Sequence, residues 1–496
     1  MHVTILGILL VPLSLFWAAN PVRLLQLAFV AAVFEAGAAV VVGGSFGLPP
    51  AMVPGLLLIA SVLLQYALGM RYRAEAPVLR AMVPLLALLG YALLSEAVLP
   101  DAFAGTIMVW PQRPDALDPR LVPLAFNSGN ITQPLYLLMN VMVAVATGIF
   151  MTRRAIPYRG LLNAYLLSGY VAVGLAFWQF AARVTGIPFI DELLYSNPNW
   201  AIVEQSLGSV PRIQGPFSEP AGLAFYLSGL CFCCLWLSAQ GHRMMRINLL
   251  LPLAVLAMLL STSTTGILTL AVGLPAMLLA GRGNRHAGAR LLKGAVMLLL
   301  CGIIVLGPVF VLKPALMDAV GEVVTATLGK GDSDSYSERT GIDEAALASI
   351  RPSYGLGVGW GSFRTSSLLP GLLANGGLFG VAMALWLFMR IARLAARAKT
   401  ALPRHPARSL VDGFSAALCG QLAAAILSAP TIGSLGFFLQ LGCVVGGAAR
   451  MSTDARQALV MPAGRVMHPR DFAPRPFARP RPFARARPAT RMTTGS

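Results

Sequence analysis

The chain has 496 residues, 56% of them hydrophobic and only 12% charged, with a mean hydropathy of +0.71. Ordinary soluble domains are about 45–50% apolar and about 25% charged, so this composition excludes a soluble enzyme and leaves a polytopic membrane protein. The net charge of +18 comes from 38 Lys+Arg against 20 Asp+Glu. The basic residues sit in short connectors beside apolar runs and in one tail, as the positive-inside rule distributes them, which argues against a nucleic-acid partner.

The first apolar run, Val3 to Ala19, follows Met1 and His2 without the basic region of a signal peptide and reads as a retained span. Read instead as re-entrant or interfacial, it lowers the count by one and moves the N-terminus inside. Runs at Pro21–Val42, Ala51–Leu68 and Val78–Leu99 follow, with Arg71, Arg73 and Arg80 marking a cytoplasmic connector between the last two. The mixed-charge stretch Pro100–Gln133 belongs on the other side. Spans at Pro134–Met151 and Gly160–Val184 flank Arg153, Arg154 and Arg159, and a second mixed loop runs from about 185 to 218.

After a span at Glu219–Ala239, the uncharged stretch Ile247–Gly281 is bracketed by basic connectors, so it must cross an even number of times. Two short helices turning at Ser261-Thr262-Ser263-Thr264-Thr265-Gly266 satisfy that, with hydroxyls capping helix ends where no water reaches. Gly294–Leu312, Gly371–Phe388, Leu410–Ala429 and Ile432–Ala449 complete the spans, and the largest polar loop runs from about 313 to 370. The total is about 12–13 transmembrane helices, an all-α protein with two large outer loops. Residues 1–129 form an N-terminal group of helices, 130–450 the core, and 451–496 an Arg/Pro-rich tail. The tail's immediate repeat, Pro474-Arg-Pro-Phe-Ala-Arg479 and Pro480-Arg-Pro-Phe-Ala-Arg485, predicts a disordered cytoplasmic segment drawn to anionic lipid.

The six cysteines show no disulfide or metal-ligand spacing and read as packing residues; no cofactor and no metal site is expected. Ionisable residues inside the spans are few, chiefly Arg23, Glu35 and Glu96. Chemistry is therefore expected in the outer loops. The first carries Arg212-Ile-Gln-Gly-Pro-Phe-Ser-Glu-Pro-Ala-Gly222, a cation and a carboxylate close together at a helix start. Ser218 or Glu219 also reads as a plain N-cap ahead of Pro220, and Arg212 as a snorkelling side chain. The second loop holds Glu338, Arg339, Arg351 and Gly355-Leu-Gly-Val-Gly-Trp-Gly-Ser-Phe-Arg364. From Ser337 it predicts a helix with Ile342, Ala345, Ala346, Ser349 and Ile350 on one face, lying along the bilayer surface. Its glycines permit close backbone approach to a ligand. Trp360 offers a sugar-stacking face, or serves equally as an interfacial Trp. Arg212, Arg339 and Arg351 are planar cations suited to gripping a pyrophosphate.

In order and loop placement, Arg212–Gly222, Ser261–Gly266, Ser337-Glu-Arg339 and Gly355–Gly361 resemble the O-antigen polymerase and ligase family of bacterial envelope polysaccharide synthesis, including Wzy-type exopolysaccharide polymerases. The resemblance covers about residues 130–450. It implies a GT-C-like fold in the bacterial inner membrane and an inverting, metal-independent glycosyltransferase facing the periplasm. Its substrate would be an undecaprenyl-pyrophosphate-linked oligosaccharide, with a chain-length regulator or export machinery as further partners besides membrane lipids. It implies Arg212 and Arg339 as catalytic cations; Glu219 is the first candidate base, and Glu338, Arg351, Trp360 and Arg364 are candidate substrate contacts. His242, His286, His405 and His468 fall on the cytoplasmic side, which leaves only His2 outside and tilts the reading from ligase to polymerase. Ligase-type transfer and a lipid-linked oligosaccharide flippase remain the alternatives.

Overall fold

The computed structural model describes residues 2–43, 46–71, 74–112, 120–153, 155–198, 206–207, 210–242, 244–281, 288–290, 292–294, 296, 334–428 and 433–460. Helices α1 (Ile5–Phe16), α2 (Pro21–Ala31), α3 (Met52–Ala67), α4 (Glu75–Ala102), α5 (Ser128–Phe150), α6 (Tyr158–Thr185) and the single turn α7 (Asp191–Leu194) make the first half. The second half holds α8 (Pro220–Ala239), α9 (Ile247–Leu260), α10 (Thr264–Gly281), α11 (Asp334–Ala348), α12 (Leu368–Ala401), α13 (Arg408–Ser428) and α14 (Leu435–Val460).

Among the described residues, seven helices are long and apolar enough to cross a membrane: α4, α5, α6, α8, α12, α13 and α14. The chain is thus mostly helical and built as a multi-pass membrane protein. Five shorter apolar helices, α1, α2, α3, α9 and α10, fall where the remaining expected spans lie. The expected span Gly294–Leu312 and the start of the large loop lie mostly outside the described residues, as do Cys301, His286, His468 and the tail from 461 on. Residues 451–460, placed in the tail by composition, are the end of α14.

Backbone hydrogen bonding explains where the helices depart from the sequence reading. The run Pro21–Val42 is not one helix: α2 stops at Ala31 after 11 residues, a rise of only about 16 Å. The chain then turns back into an antiparallel sheet in which β2 (Val40–Val42) lies between β1 (His2–Val3) and β3 (Phe46–Leu48). That sheet takes up backbone groups which an unfinished helix would leave unpaired. Similarly, α5 begins six residues ahead of Pro134 because Asn127 and Asn130 form a reciprocal capping box. Between α4 and α5 a short hairpin pairs β4 (Met108–Val109) with β5 (Val122–Pro123).

The two-helix reading of Ile247–Gly281 holds. Its turn is buried at Ser261, Thr262, Ser263 and Thr265, and the Ser261 hydroxyl donates to the Met258 carbonyl at 2.6 Å and accepts from the Ser263 amide at 3.3 Å. The expected amphipathic helix in the large loop is also present, with Ile342, Ala346 and Ser349 buried and Ala345 and Ile350 half-buried.

α8 and α14 are the most enclosed long helices, whereas α4 and α12 turn more than half of their apolar length outward. Small residues permit the tightest crossing. On α14, a Cβ at Gly442 would stand 2.5 Å from the Ala144 carbonyl oxygen, and one at Gly446 would stand 2.4 Å from that of Gly148. This is the small-xxx-small packing by which helices approach closely in a membrane. An aromatic column runs through the core, where Phe29 stacks on Phe414 at 5.3 Å and Tyr165 meets Phe414 and Tyr226 edge-on. Cys231, Cys233, Cys234 and Cys443 are free and buried, and Cys419 is free and exposed.

α12 spans 34 residues but breaks at Gly377, whose φ of 61° and ψ of −165° are not helical. The break frees backbone groups, and the glycine-rich loop answers them: the Val358 amide donates to the Ala374 carbonyl at 2.7 Å and the Leu378 amide to the Gly355 carbonyl at 2.9 Å. The glycines of 355–361 therefore serve close approach to the protein's own helices. A Cβ at Gly357 would meet the Ala374 oxygen at 2.7 Å, and one at Gly361 the Gly129 oxygen at 2.4 Å.

Candidate functional site

Arg212 lies in the segment between α6 and α8, which buried polar groups hold from below. Gln179 on α6, 1% exposed, accepts with one Oε1 from the backbone amides of Gln214 at 2.9 Å and Gly215 at 2.8 Å. Its Nε2 donates to the Tyr195 hydroxyl at 2.7 Å, and that hydroxyl donates to the Gly215 carbonyl at 2.7 Å. Burial pushes the Tyr195 phenol well above its ordinary pKa, so it stays a neutral donor. Gly215 has φ +56, a conformation that glycine adopts without penalty. Ala36, in the chain after α2, donates its amide to the Pro216 carbonyl at 3.2 Å. Beneath the segment, Phe217 packs on Tyr226 at 5.2 Å between centroids.

The guanidinium of Arg212 donates through Nε to the Thr262 hydroxyl at 3.1 Å, and the carbonyl of Arg212 accepts from the Arg183 guanidinium. The serine-threonine turn and the first outer loop therefore meet at Arg212. Burial lowers the pKa of Arg212 from its ordinary value, the positive charge of Arg339 lowers it further, and the Glu219 carboxylate opposes both. Arg339, on α11, donates from Nη1 to the Ser428 hydroxyl at the end of α13 at 3.1 Å. Glu219 is the residue ahead of α8, followed by Pro220 in the first turn, and its side chain makes no capping bond to that helix.

Three of the seven candidate residues, Arg212, Glu219 and Arg339, thus converge, although about 120 positions separate the last two in sequence. Glu338 is exposed on the first half of α11. Arg351 is exposed beyond the end of α11, more than two helical turns from Arg339 along the chain. Trp360 and Arg364 belong to a second neighbourhood among α4, α5 and α12. Trp360 lines an apolar pocket with Leu85, Leu137, Phe388, Gln133 and Asn375, and the Arg364 amide donates to the Trp110 carbonyl at 2.8 Å.

Several contributors were not assigned to the site from sequence. Glu35, read as an intramembrane acid near a helix end, lies in the turn after α2 with Oε2 only 3.1 Å from where a Cβ on Gly222 would stand; it faces the first turn of α8. Gln179 and Ser428 are the others. A buried polar residue in an otherwise apolar run, as Gln179 is, was the available signal. Among the described residues, no three His, Cys, Asp or Glu side chains gather as metal ligands.

With the guanidinium groups of Arg183, Arg212 and Arg339 set against the carboxylates of Glu35 and Glu219, the site carries one positive charge in excess beside hydroxyl groups, an arrangement that favours an anion. No family model and no curated protein matches the chain.

Proposed function

We propose that the chain is a polysaccharide polymerase of the GT-C-like kind, in the bacterial inner membrane, that joins lipid-linked repeat units at the periplasmic face. The observation that carries this reading is the convergence of Arg212 and Arg339. Each like charge raises the cost of the other, and a bound dianion offsets that cost. A pyrophosphate held there fits two planar cations.

Orientation follows from charge. The ends of the helices away from the site carry Arg71, Arg80, Arg153, Arg159, Arg390, Arg393, Arg397 and Arg408, whereas Arg212 and Arg339 lie at the opposite ends. By the positive-inside rule the arginine-rich ends read as cytoplasmic, which supports a periplasmic site. This reading takes α4, α5, α6, α8, α12, α13 and α14 as spans and assigns the remaining expected crossings to the shorter apolar helices and to residues outside the described ones.

In the proposed step, a hydroxyl oxygen of the acceptor sugar attacks the anomeric carbon of the donor glycan from the face opposite the pyrophosphate. The carbon–oxygen bond to undecaprenyl pyrophosphate breaks with its electron pair leaving on the phosphate oxygen, and the configuration inverts. Arg212 and Arg339 stabilise the charge that develops on the leaving group. The acceptor proton passes to the Glu219 carboxylate, the acid that Arg212 senses.

The test supplies purified protein with lipid-linked repeat units and follows chain length. Polymer is expected from the native chain, and accumulated single units from Arg212→Ala or Arg339→Ala. Transfer only onto a different acceptor would identify a ligase, and movement of intact units across vesicles without any new glycosidic bond would identify a flippase. Cysteine labelling that put the Arg212 segment in the cytoplasm would overturn the assignment.

A further inference from the structure

A second cavity lies at the other end of the bundle, between the last turns of α3, the first turns of α4 and the second half of α5. Its volume is about 460 Å³. Its walls are aliphatic, formed by Ile59, Val62, Leu63, Leu79, Val145 and Ile149, and its polar end is closed by Tyr66, Arg71 and Glu75. Leu63 and Leu79 are 54% and 39% exposed, so the groove opens sideways, out of the protein. We propose that it holds an acyl chain of an anionic phospholipid from the leaflet at the arginine-rich ends of the helices, with the lipid phosphate on Arg71.

Two observations select this occupant. First, the Arg71 guanidinium is fixed at the mouth of the groove, 4.5 Å above the Tyr66 ring centroid. Its Nη1 donates to the carbonyls of Tyr66 at 3.3 Å and Met70 at 3.2 Å. A positioned planar cation suits a phosphate. Second, charge at this end is one-sided where it faces outward. Glu75 lines the same polar end but is only 9% exposed, while Arg71 and, on the second turn of α4, Arg80 are exposed. An apolar slot continuous with a cationic lip matches a molecule with a hydrocarbon chain and an anionic head. The inference needs only a membrane-spanning chain and is independent of the proposed glycosyl transfer.

The experiment takes the purified full-length protein in detergent, exchanges it with equimolar phosphatidylglycerol and phosphatidylcholine bearing identical oleoyl chains, and counts retained lipid by native mass spectrometry. Phosphatidylglycerol should be retained over phosphatidylcholine by about fivefold, the scale of one basic contact to an anionic head group. Arg71→Ala should erase that preference, while Arg393→Ala, on α12, leaves it intact. Leu79→Trp, which fills the groove, should lower retention of both lipids. If the tryptophan variant fails to fold, a phosphatidylglycerol with a photoreactive acyl chain serves instead and should label segments 59–66 and 142–149. Equal retention of the two lipids, a preference that survives Arg71→Ala, or labelling elsewhere would overturn the proposal.

Discussion

Arg212 donates its Nε–H to the hydroxyl of Thr262, 3.1 Å away, and Thr262 holds that hydroxyl in place from a backbone with φ +49. A β-branched residue in the left-handed region is strained by about 1–2 kcal/mol, so the turn carries a local cost where it meets the proposed catalytic cation. Thr262→Gly relaxes the backbone and removes the acceptor. It should leave the melting temperature unchanged or raised, while polymer output falls at least about tenfold, the worth of one hydrogen bond to a charged group. Thermal unfolding and chain-length analysis of the same preparation read both effects.

Gln179 supports the Arg212 segment from α6 by accepting two backbone amides. Gln179→Leu leaves both donors buried without an acceptor, at a cost of about 2 kcal/mol. Gln179→Glu keeps the acceptor oxygen. The leucine variant should therefore lose stability and polymer output together, and the glutamate variant, which keeps the acceptor but loses the Nε2 donor to Tyr195 and buries a carboxyl group, should recover only part of both, as read by denaturation midpoints and product length.

The break in α12 offers a check on packing. A Cβ at Gly377 would lie 2.3 Å from the Gly355 carbonyl oxygen, on a backbone with φ +61. Gly377→Ala should destabilise the protein by about 3 kcal/mol or more, since strain and overpacking add. Gly341→Ala, where an added Cβ meets nothing within 4 Å, should be neutral or stabilising in the same thermal assay.

These cases mark what the sequence made legible. Apolar runs of membrane length located each of the seven long helices, because in lipid the helix must satisfy its own backbone. The hydroxyl-rich turn at Ser261–Thr265 was readable from the parity of crossings. Periodicity did not reveal that the run Pro21–Val42 breaks into a half-helix and a hairpin, because the apolar residues continue through the break and only contacts such as Ala36 to Pro216 create it. At the candidate site, the loop motifs located Arg212, Glu219 and Arg339, whereas the roles of Gln179, Ser428 and Glu35 depend on folding. The glycines of 355–361 were legible as close-approach positions; what they approach, the broken backbone of α12, was not.

At the opposite end, burial lowers the pKa of His242 from its ordinary value; Asp412 opposes this, and Arg408 and Arg159 reinforce it. A histidine whose folded-state pKa is depressed binds fewer protons folded than unfolded. Its contribution is therefore intact above the unfolded value of about 6.5 and is lost as pH falls through it. Native protein should lose melting temperature between about pH 7.5 and pH 5.5 more steeply than His242→Gln. Parallel curves for the two proteins would refute the assignment.

Arg339 depends on how α11 is fastened. Asp343, one turn further along the same helix, accepts from the Ser366 amide at 2.7 Å through Oδ1 and from the Ser367 hydroxyl at 2.6 Å through Oδ2, tying α11 to the start of α12. The other face of α11 is held by buried Ile342 and Ala346. Asp343→Ala cuts both ties and leaves the apolar face as the main anchor, so α11 should open locally before the bundle unfolds. Amide hydrogen exchange across 337–348 should quicken by at least tenfold, the equivalent of about 1.4 kcal/mol, with the helices of the core unaffected. Asp343→Asn retains an acceptor for the Ser366 amide and should show a smaller change. If Arg339 acts on substrate from this helix, polymer length should fall in the same order, with the alanine variant shortest, and a fall in length without faster exchange in α11 would separate Asp343 from the positioning of Arg339.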